Sequence, residues 1–483
     1  MSMLRHLKRW CILYLLLIII LYLVIGAVAP FVRYKQLSEK TIAEADKVVA
    51  EIMEEHDACV DRAMLLESNG SALEERLRLF SMAKERIILS TFDMREGEAA
   101  DDIAAVLLHK ADEGVKISIL IDGFNGSLRM SGRDFFYALS SHPNIEIRRY
   151  NPLNLLTPWT SQGRMHDKYI IVDDLAYILG GRNTFDYFLG DYETDHRSLD
   201  REVLIYNTAR GTDSRESSLW QVLDYFETVW DGGYCEVFGE KRGLYEKSSV
   251  EAERQRLAER YEAILLKQPE LFDTYDYEAN TCATNHVTLL SGDTGIYGKE
   301  PVVLYQLKEL MRRADRRVLI HTPYVVCNSY MYQALREVQQ DVPEAVLLLN
   351  SVENGDNFCA SSDYIRNKPD VVATGITLYE YDGGDSYHGK SIIIDDDISV
   401  IGSYNFDLRS TYVDTELMLV IESREFTAEL AAHMEGFEAQ SRQVLSDGEY
   451  LTPDGLDIEE IPFFKKIAMR VFGFLAQGFR YLL

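Results

Sequence analysis

Two histidines, each followed at the same spacing by a lysine and an aspartate, are the residues of this sequence with the most recognisable chemistry. The two sets are His166, Lys168 and Asp173, in HDKYIIVDDLAYILGGRN, and His388, Lys390 and Asp395, in HGKSIIIDDDISVIGSYN. On a β-strand, residues two positions apart project from the same face, so we expect the imidazole and the ammonium of each set to enter one pocket. An imidazole can exchange protons and an ammonium can stabilise negative charge, so such a pair is suited to acid–base catalysis on an anionic group.

An asparagine lies 17 residues after each histidine, as Asn183 and Asn405. Together with the two lysines, these amides are hydrogen-bond donors and are candidate ligands for an anionic group of a substrate. The aspartates are expected to brace the loop of each motif rather than to touch substrate. One such motif alone is weak, because a lone histidine on an apolar strand is more often a core residue. Two copies at identical offsets are not required by packing, and they predict a functional site.

The two motifs lie at equivalent places in a chain that repeats itself. In the first half ALEERLRLFSMAK precedes ERIILSTF, and in the second VVLYQLKELMRRA precedes RRVLIHTPY, each a helix pattern followed by a strand pattern. Further strand-like runs follow in the same order, VKISILID and IEIRRY in the first half, EAVLLLN and ITLYEY in the second. Alternating helix and strand signals imply sheets covered by helices, so the predicted fold class is α/β, with two similar domains.

The length of 483 residues is more than a single core needs, which agrees with two domains. The predicted organisation is an N-terminal anchor at 1–35, a stalk at 36–58, a first domain at 59–235, a helical connector at 236–281, a second domain at 282–445 and a C-terminal tail with an amphipathic helix at 446–483. Cys59 and Cys282 precede matched apolar pairs, so a disulfide between the halves is conceivable.

An uncharged stretch from Trp10 to Val32 is long enough to cross a membrane as a helix of roughly 34 Å. The alternative is a cleaved signal peptide, with AVA at 27–29 as the cleavage site. Pro30 would then follow the cut, and the apolar run exceeds the usual length of such peptides, so an uncleaved anchor is favoured. The flanking cations are Arg5, Lys8 and Arg9 before the span and Arg33 and Lys35 after it. This bias favours a cytoplasmic amino terminus and an extracytoplasmic body.

The C-terminal sequence IPFFKKIAMRVFGFLAQGFRYLL predicts an amphipathic helix. Its apolar face is Phe464, Ile467, Ala468, Val471, Leu475, Phe479 and Leu482. Lysines and arginines occupy much of the other side, as in a helix that lies in a membrane interface. A terminal helix docked on the core would show the same stripe, and the sequence leaves both interpretations open.

Composition argues against several classes of function. Fifty basic and 78 acidic residues give a net charge of −28, which disfavours nucleic acid as a partner. The six cysteines have none of the spacings of a structural zinc site. We therefore expect neither a metal framework nor nucleic-acid binding.

The paired motifs, followed by GGRN and GSYN, resemble those of the phospholipase D superfamily over roughly residues 59–445. More narrowly, GSYNFDLRSTYVDTELMLVIES is similar to the shorter bacterial cardiolipin synthases. Two positions depart from the usual pattern: Asp414 stands where asparagine is common, and Gly181 replaces a serine. The resemblance implies two pseudo-symmetric domains that form one shared active site.

The resemblance also implies roles for individual residues. His166 would be the nucleophile and His388 the general acid, although the pseudo-symmetry leaves the reverse assignment open. Glu202 and Glu416, at comparable strand positions after each motif, resemble the carboxylates that orient the histidines. Their alternative reading is as exposed acids at strand ends. No metal or other cofactor is implied, because the lysines and asparagines supply the donors.

The resulting hypothesis is a membrane-anchored bacterial phosphatidyltransferase that makes cardiolipin. A phosphatidyl group would pass through a phosphohistidine to phosphatidylglycerol, and the donor lipid could be a second phosphatidylglycerol or phosphatidylethanolamine. If water replaced the acceptor, the enzyme would be a hydrolytic phospholipase D. A nuclease of the same superfamily and an inactive membrane scaffold are further alternatives. The oligomeric state is not indicated.

Overall fold

The fold consists of two α/β halves that follow an apolar helix. The computed structural model describes residues 2–239 and 247–483. Helix α1 (Ser2–Val28) is followed by a 3-10 turn at Ala29–Phe31 and by α2 (Glu39–Ile52). The segment Lys8–Phe31 is long and apolar enough to cross a membrane, and its most apolar window is not buried in the protein. Helix α2 lies within the predicted stalk and packs on the second half. The hydroxyl of Tyr305, in the second half, donates a 2.8 Å hydrogen bond to Asp46 of α2.

The first half alternates strands and helices as the sequence indicates. Its elements are β1 (Asp61–Leu66), α3 (Asn69–Ser81), β2 (Arg86–Thr91), α4 (Glu98–Asp112), β3 (Lys116–Asp122), α5 (Gly123–Arg129), α6 (Asp134–Ser140), β4 (Ile145–Tyr150), β5 (Lys168–Val172), β6 (Ala176–Gly180), β7 (Ser198–Leu199), β8 (Glu202–Asn207), α7 (Leu219–Trp230) and β9 (Cys235–Val237). In the predicted connector, α8 (Lys247–Lys267) precedes β10 (Cys282–Ala283), and residues 240–246 lie outside the described residues.

The second half repeats this order. Its elements are β11 (His286–Ser291), α9 (Val302–Met311), β12 (Arg317–His321), α10 (Ser329–Asp341), β13 (Glu344–Asn350), α11 (Phe358–Val372), β14 (Thr377–Tyr381), β15 (Ser386–Tyr387), β16 (Ser391–Ile394), β17 (Ile398–Gly402), α12 (Leu408–Tyr412), β18 (Leu417–Glu422), α13 (Arg424–Glu438) and β19 (Ser441–Val444). The C-terminal region adds β20 (Tyr450–Leu451), α14 (Phe463–Leu475) and a 3-10 segment at Ala476–Leu482.

Each half is built on a mixed nine-stranded sheet. The strand orders are β10-β1-β8-β6-β5-β2-β3-β4-β9 and β11-β18-β17-β16-β12-β13-β14-β19-β20. Strands β2, β3 and β4 run parallel, and β5, β6, β8 and β1 pair antiparallel, with the same pattern in the second half. The predicted pair of similar α/β domains is therefore confirmed.

The two sheets face each other across one core. Ile88 and Ile171 of the first sheet lie in the same buried cluster as Leu319 and Ile393 of the second. Because side chains alternate along a strand, Ile87 points to the opposite face, under helices such as α4. Burial of both faces explains why the strands carry nearly continuous apolar runs. The motif-bearing strands β5 and β16 are central in their sheets, which gives the site a rigid base.

Helix α14 docks through a face that the sequence analysis did not choose. Met469, Gly473 and Ala476 are buried, and an ideal Cβ at Gly473 would lie 2.2 Å from the carbonyl oxygen of Ser362 in α11. The apolar face described above is instead largely exposed, with Phe464 83% exposed. The helix is thus docked by a narrow strip while its broad apolar side remains open.

The disulfide considered between the halves is not formed. The thiols of Cys59 and Cys282 are both free, and Cys59 lies 3.1 Å from the hydroxyl of Thr284. Strand β10 instead joins the first sheet by pairing Cys282 with Ala63.

Candidate active site

Each motif histidine is held by the main chain of the opposite half. His166 directly precedes β5, and its N–H donates to the carbonyl of Thr415 at 3.2 Å. His388 follows β15, and its N–H donates to the carbonyl of Leu199 at 2.6 Å. Strands β7 and β15 also pair with each other, one from each half. The two motifs therefore lie where the halves meet.

The histidine rings are also paired across the halves. Nδ1 of His166 lies 2.8 Å from Oε1 of Glu416, and Nδ1 of His388 lies 2.6 Å from Oδ2 of Asp200. All four groups are buried or nearly so. A carboxylate on Nδ1 fixes the tautomer of a neutral imidazole and leaves Nε2 as the atom that can react.

The sequence-based choice of Glu202 as a histidine partner was wrong, because Asp200 occupies that position. Glu202 is buried and accepts hydrogen bonds from the guanidinium of Arg76 at 2.7 and 2.8 Å. Arg182, next to Asn183, lies 3.5 Å from it. The acid thus anchors two arginines behind the motif and does not reach the imidazole.

The register of the sheets explains this error. Glu202 lies opposite the last residue of β6, and the corresponding residue opposite the end of β17 is Met418. Two residues earlier along the chain, just before each strand begins, are Asp200 and Glu416. EVLI, which starts at Glu202, and ELML, which starts at Glu416, look alike but are displaced by two positions relative to the sheet register. A shift of two residues leaves each side chain on the same face of a strand, so the alternation of side chains does not reveal it. Counting back from the paired strands, rather than matching letters, would have found Asp200.

Gly181 makes room for this aspartate. An ideal Cβ at Gly181 would lie 2.4 Å from Oδ1 of Asp200. The corresponding residue of the second half is Ser403, whose hydroxyl donates to Glu416, as does that of Ser410 at 2.5 Å. A serine at position 181 would therefore collide with the carboxylate of Asp200, and glycine avoids this collision.

The motif lysines lie beside the imidazoles, and the two asparagines are buried. Lys390 Nζ lies 3.3 Å from Nε2 of His388 and 3.6 Å from Asp200, and Lys168 Nζ donates to the carbonyl of His166. Asn183 and Asn405 are buried, and their side-chain oxygens have no partner among the described residues. Each motif thus brings a lysine to its own histidine, and each asparagine carries a buried side-chain oxygen without a partner among the described residues.

Phenylalanines and a cavity border the site. The ring of Phe92 packs edge-on against His166 at 5.0 Å, and that of Phe188 packs edge-on against His388 at 5.1 Å. A cavity of about 1110 Å³ is lined in part by Asn183 and Phe188. The cavity is large enough for a substantial polar headgroup, and the rings limit the water around each imidazole.

Burial and a neighbouring lysine lower the pKa of both histidines, and the two rings differ in the carboxylate that each one faces. Burial, with Lys168 beside it, lowers the pKa of His166 well below its ordinary value, which favours the neutral ring. Burial also raises the pKa of its partner Glu416 to about 7. At Asp200 burial acts in the same direction, but Lys390 and His388 outweigh it and hold the pKa below its ordinary value. The second histidine therefore faces a carboxylate that stays ionised.

The motif aspartates lie at the far ends of their strands. Asp173 follows β5, roughly 16 Å along the strand from Lys168, at a φ of 50°, and Asp395 follows β16 at a φ of 53°. Asp173 accepts the N–H groups of residues 84, 85 and 86 at 2.7–2.9 Å, and Asp395 those of residues 315, 316 and 317 at 2.8–3.1 Å. They brace a turn before the neighbouring strand, and neither is placed beside the histidines.

Asp414 takes part in a contact between the halves. Its carboxylate accepts from Arg409 at 2.7 and 3.0 Å and from the N–H of Arg164 at 3.2 Å. Arg409 in turn donates to the carbonyl of Gln162 at 2.7 Å. The acid in place of the usual asparagine thus forms an ion pair that ties α12 to the segment before His166.

Comparison with known families identifies the repeated unit. A model described as "Cardiolipin synthase, PLD-like domain" matches residues 77–204 and 307–437. The two matches cover corresponding parts of the two halves and together more than half of the chain.

Full-length relatives are similar at low identity. Cardiolipin synthase C of Escherichia coli is 25% identical over 399 residues, which cover 74% of this chain and 80% of the relative. An uncharacterised protein of Helicobacter pylori is 25% identical over 416 residues, 78% of this chain and 80% of that protein.

A solved structure shares the fold. Phosphatidylserine synthase of Haemophilus influenzae aligns with a TM-score of 0.61 at 15% identity, covering 92% of this chain and 100% of that structure. The overall fold of this chain is therefore one that occurs in a solved structure.

Proposed function

Since the chain belongs to the phospholipase D-like family, we propose that it is a membrane-anchored phosphatidyltransferase with cardiolipin synthase activity. The observation that carries this proposal is the reciprocal pairing of His166 with Glu416 and of His388 with Asp200. A two-step transfer needs a nucleophile and an acid on opposite sides of one phosphorus, and this pairing supplies two equivalent imidazoles at one cleft.

In the first step Nε2 of His166 attacks the phosphorus of the donor lipid. The bond between phosphorus and the headgroup oxygen breaks, and His388 gives its proton to that oxygen. The low pKa of His166 supports the nucleophilic role, because the attacking ring must be neutral. The ionised Asp200 supports the acid role, because a carboxylate at Nδ1 stabilises the imidazolium of His388.

In the second step His388 takes the proton of an acceptor hydroxyl. The acceptor oxygen attacks phosphorus, the bond from phosphorus to His166 breaks, and the product is released. Lys168, Lys390, Asn183 and Asn405 bind the non-bridging oxygens throughout, as donors fixed in a buried site. Phosphatidylglycerol is the proposed acceptor, and phosphatidylglycerol or phosphatidylethanolamine the proposed donor.

The proposed location is a bacterial cell membrane. Helix α1 would act as a single-pass anchor, with its cytoplasmic end marked by the cations before the span and the body on the other side. The names of the relatives, which are phospholipid synthases, favour transfer to a lipid hydroxyl over hydrolysis. The net charge of −28 makes a nuclease the weaker candidate.

The test is expression in bacterial cells that lack cardiolipin, with lipid analysis by mass spectrometry. We expect cardiolipin from the parent protein and none from His166→Ala or His388→Ala. His109→Ala is a matched control, because this histidine stacks on Tyr261, on helix α8. Accumulation of phosphatidic acid without cardiolipin would establish hydrolysis instead, and no lipid change at all would refute the proposal.

A further inference from the structure

The segment between β4 and β5 is an exposed apolar loop. Residues 151–163, NPLNLLTPWTSQG, contain no charged side chain in a protein of which 27% is charged. Leu155 is 68% exposed and Leu156 80% exposed, and Leu153 and Trp159 are each 40% exposed. We call residues 151–163 the apolar loop. Large apolar groups concentrated on an exposed segment indicate a surface that is covered in use.

The apolar loop lies against helix α1. The hydroxyl of Tyr22 donates to the carbonyl of Leu156 at 2.8 Å. One turn further along α1, Gly26 approaches Pro158 so closely that an ideal Cβ would lie 2.5 Å from its Cγ. Tyr22 is about 13 Å along the helix from Phe31, the end of the candidate span. The loop therefore reaches a level well inside the segment that would cross the membrane.

Part of the main chain of the apolar loop is hydrogen-bonded within the protein. The N–H groups of Thr157, Thr160 and Ser161 donate to carbonyls within the loop at 3.0–3.1 Å. The N–H of Leu156 is bonded at 3.0 Å to the side chain of Asn154, and its carbonyl accepts from α1. A segment in hydrocarbon must satisfy its polar main chain internally or through protein neighbours, and these bonds meet part of that requirement.

The base of the apolar loop is fixed to the active site. Asn151 closes it by donating to the carbonyls of Thr160 and Gly163 at 2.7 Å each, and Arg409 binds Gln162. The chain continues from Gly163 to His166 in three residues. The position of the tip is therefore coupled to the position of this histidine.

We propose that the apolar loop inserts into the same bilayer leaflet as the C-terminal part of α1 and holds His166 at the lipid surface. This inference rests on the membrane anchoring in the proposed function, and it adds a second inserted element beside the anchor. The exposed face of the apolar loop would contact the acyl chains of phospholipids. A diacyl phospholipid then reaches the histidine without leaving the membrane completely, and the charge-free composition of the loop avoids the cost of placing ions in hydrocarbon.

Trp159 provides a direct measure of insertion. The chain has four tryptophans, and replacing Trp10, Trp220 and Trp230 by phenylalanine leaves Trp159 as the only emitter. The full-length variant would be reconstituted in phosphatidylcholine vesicles with bromine atoms on the acyl chains. We expect strong quenching by the brominated lipid and weak quenching by aqueous iodide. A variant that retains only Trp10 reports whether α1 itself has inserted.

Each outcome has a defined meaning. Quenching of Trp10 by the lipid together with quenching of Trp159 only by iodide would overturn the inference. Protection of Trp159 from both quenchers would show that protein covers the loop, for example a second copy, and would also overturn it. Because fluorescence does not depend on turnover, an inserted loop in a protein that makes no cardiolipin would refute the proposed function alone.

Activity gives an independent test. We expect Leu155→Glu with Leu156→Glu to lower the rate on bilayer phosphatidylglycerol at least tenfold and to leave the rate on a dispersed short-chain phosphatidylglycerol within about threefold. Leu266→Glu is the control, since this residue is 86% exposed on α8 and should change neither rate. Equal losses on both substrates would show damage to the site and contradict an interfacial role.

Discussion

His388 of the second half and Asp200 of the first half share a 2.6 Å hydrogen bond, and neither half contains this pair by itself. The reciprocal bond joins His166 to Glu416. Each half therefore carries one imidazole and the carboxylate that orients the other imidazole.

Asp200→Asn should lower kcat by about 10²–10⁴, the range for loss of a general acid or of the group that fixes its tautomer. The amide can no longer hold the imidazolium of His388, so protonation of the leaving group fails. Steady-state kinetics on vesicles would measure the loss. A change of less than threefold would remove Asp200 from the mechanism.

Glu202→Gln is the matched variant, because this acid was the partner expected from the sequence. It should lower the free energy of unfolding by about 3–5 kcal/mol, since it breaks a buried ion pair with Arg76. The kcat of the folded fraction should stay within about threefold. If its kcat fell as far as that of the Asp200 variant, with stability unchanged, our reassignment would be wrong.

Gly181→Ala should inactivate the enzyme through Asp200. The added Cβ would lie 2.4 Å from Oδ1, so the carboxylate must move away from His388. We expect a loss in kcat of at least tenfold. Gly436→Ala is the control, because no described residue lies within 4 Å of a Cβ at that position in α13. This variant should leave kcat unchanged. Activity equal to that of the control would show that Asp200 tolerates the displacement.

The pH profile of kcat/KM should have a maximum near neutrality. Burial raises the pKa of Glu416 to about 7, so the partner of His166 loses its charge as the pH falls below that value. Burial lowers the pKa of Lys168 to about 7, so this phosphate donor becomes neutral as the pH rises. Glu416→Gln should remove the acid limb and lower the maximum. An acid limb that persists unchanged in this variant would exclude Glu416 as its source.

Ionisation of Glu416 should lower the free energy of unfolding, although activity requires this carboxyl to be ionised. The folded-state pKa of Glu416 is raised above the ordinary 4.5, so the folded protein binds the proton more tightly than the unfolded chain does. Its contribution to stability is therefore lost as the pH rises from about 4.5 through 7. At pH 8, Glu416→Gln should be more stable than the parent by roughly 2–4 kcal/mol, and the difference should shrink toward pH 4. Denaturant titrations at both pH values would decide.

Asp173→Ala should affect stability more than catalysis. It removes the acceptor for three main-chain N–H groups and places alanine at a φ of 50°, so we expect a loss of about 1–3 kcal/mol. Asparagine, which tolerates positive φ, should cost less. Asp395→Ala should behave alike, because its contacts are equivalent. A hundredfold loss of kcat at unchanged stability would instead place these aspartates in the chemistry.

Local patterns were sufficient to predict much of the molecule. The repeated strand and helix signals predicted two α/β domains, because apolar periodicity follows burial on each element. The spacing of His166 with Lys168, and of His388 with Lys390, identified the groups that meet at the cleft. Their meeting follows from the repeat, since equivalent strands end at equivalent places in two facing sheets.

The sequence could not show which residues pair across the halves. Asp200 and Glu202 are acids two positions apart, one just before β8 and one at its start, and only the sheet register shows which of them corresponds to Glu416. The docked strip of α14 was missed for a related reason. Gly473 has no side chain to add to an apolar pattern, yet its lack of a Cβ lets the helix approach α11.

The exchange of carboxylates between the halves limits how this protein could be recombined with a relative. In a chimera joined within the connector, each histidine would face a carboxylate from the other parent protein. That carboxylate would have a different side-chain length wherever one parent has aspartate and the other has glutamate. Such hybrids should fold and remain inactive until the residue at 181 and the acid at 200 are transplanted together. The catalytic pairs thus depend on both halves together, although the fold repeats as single halves.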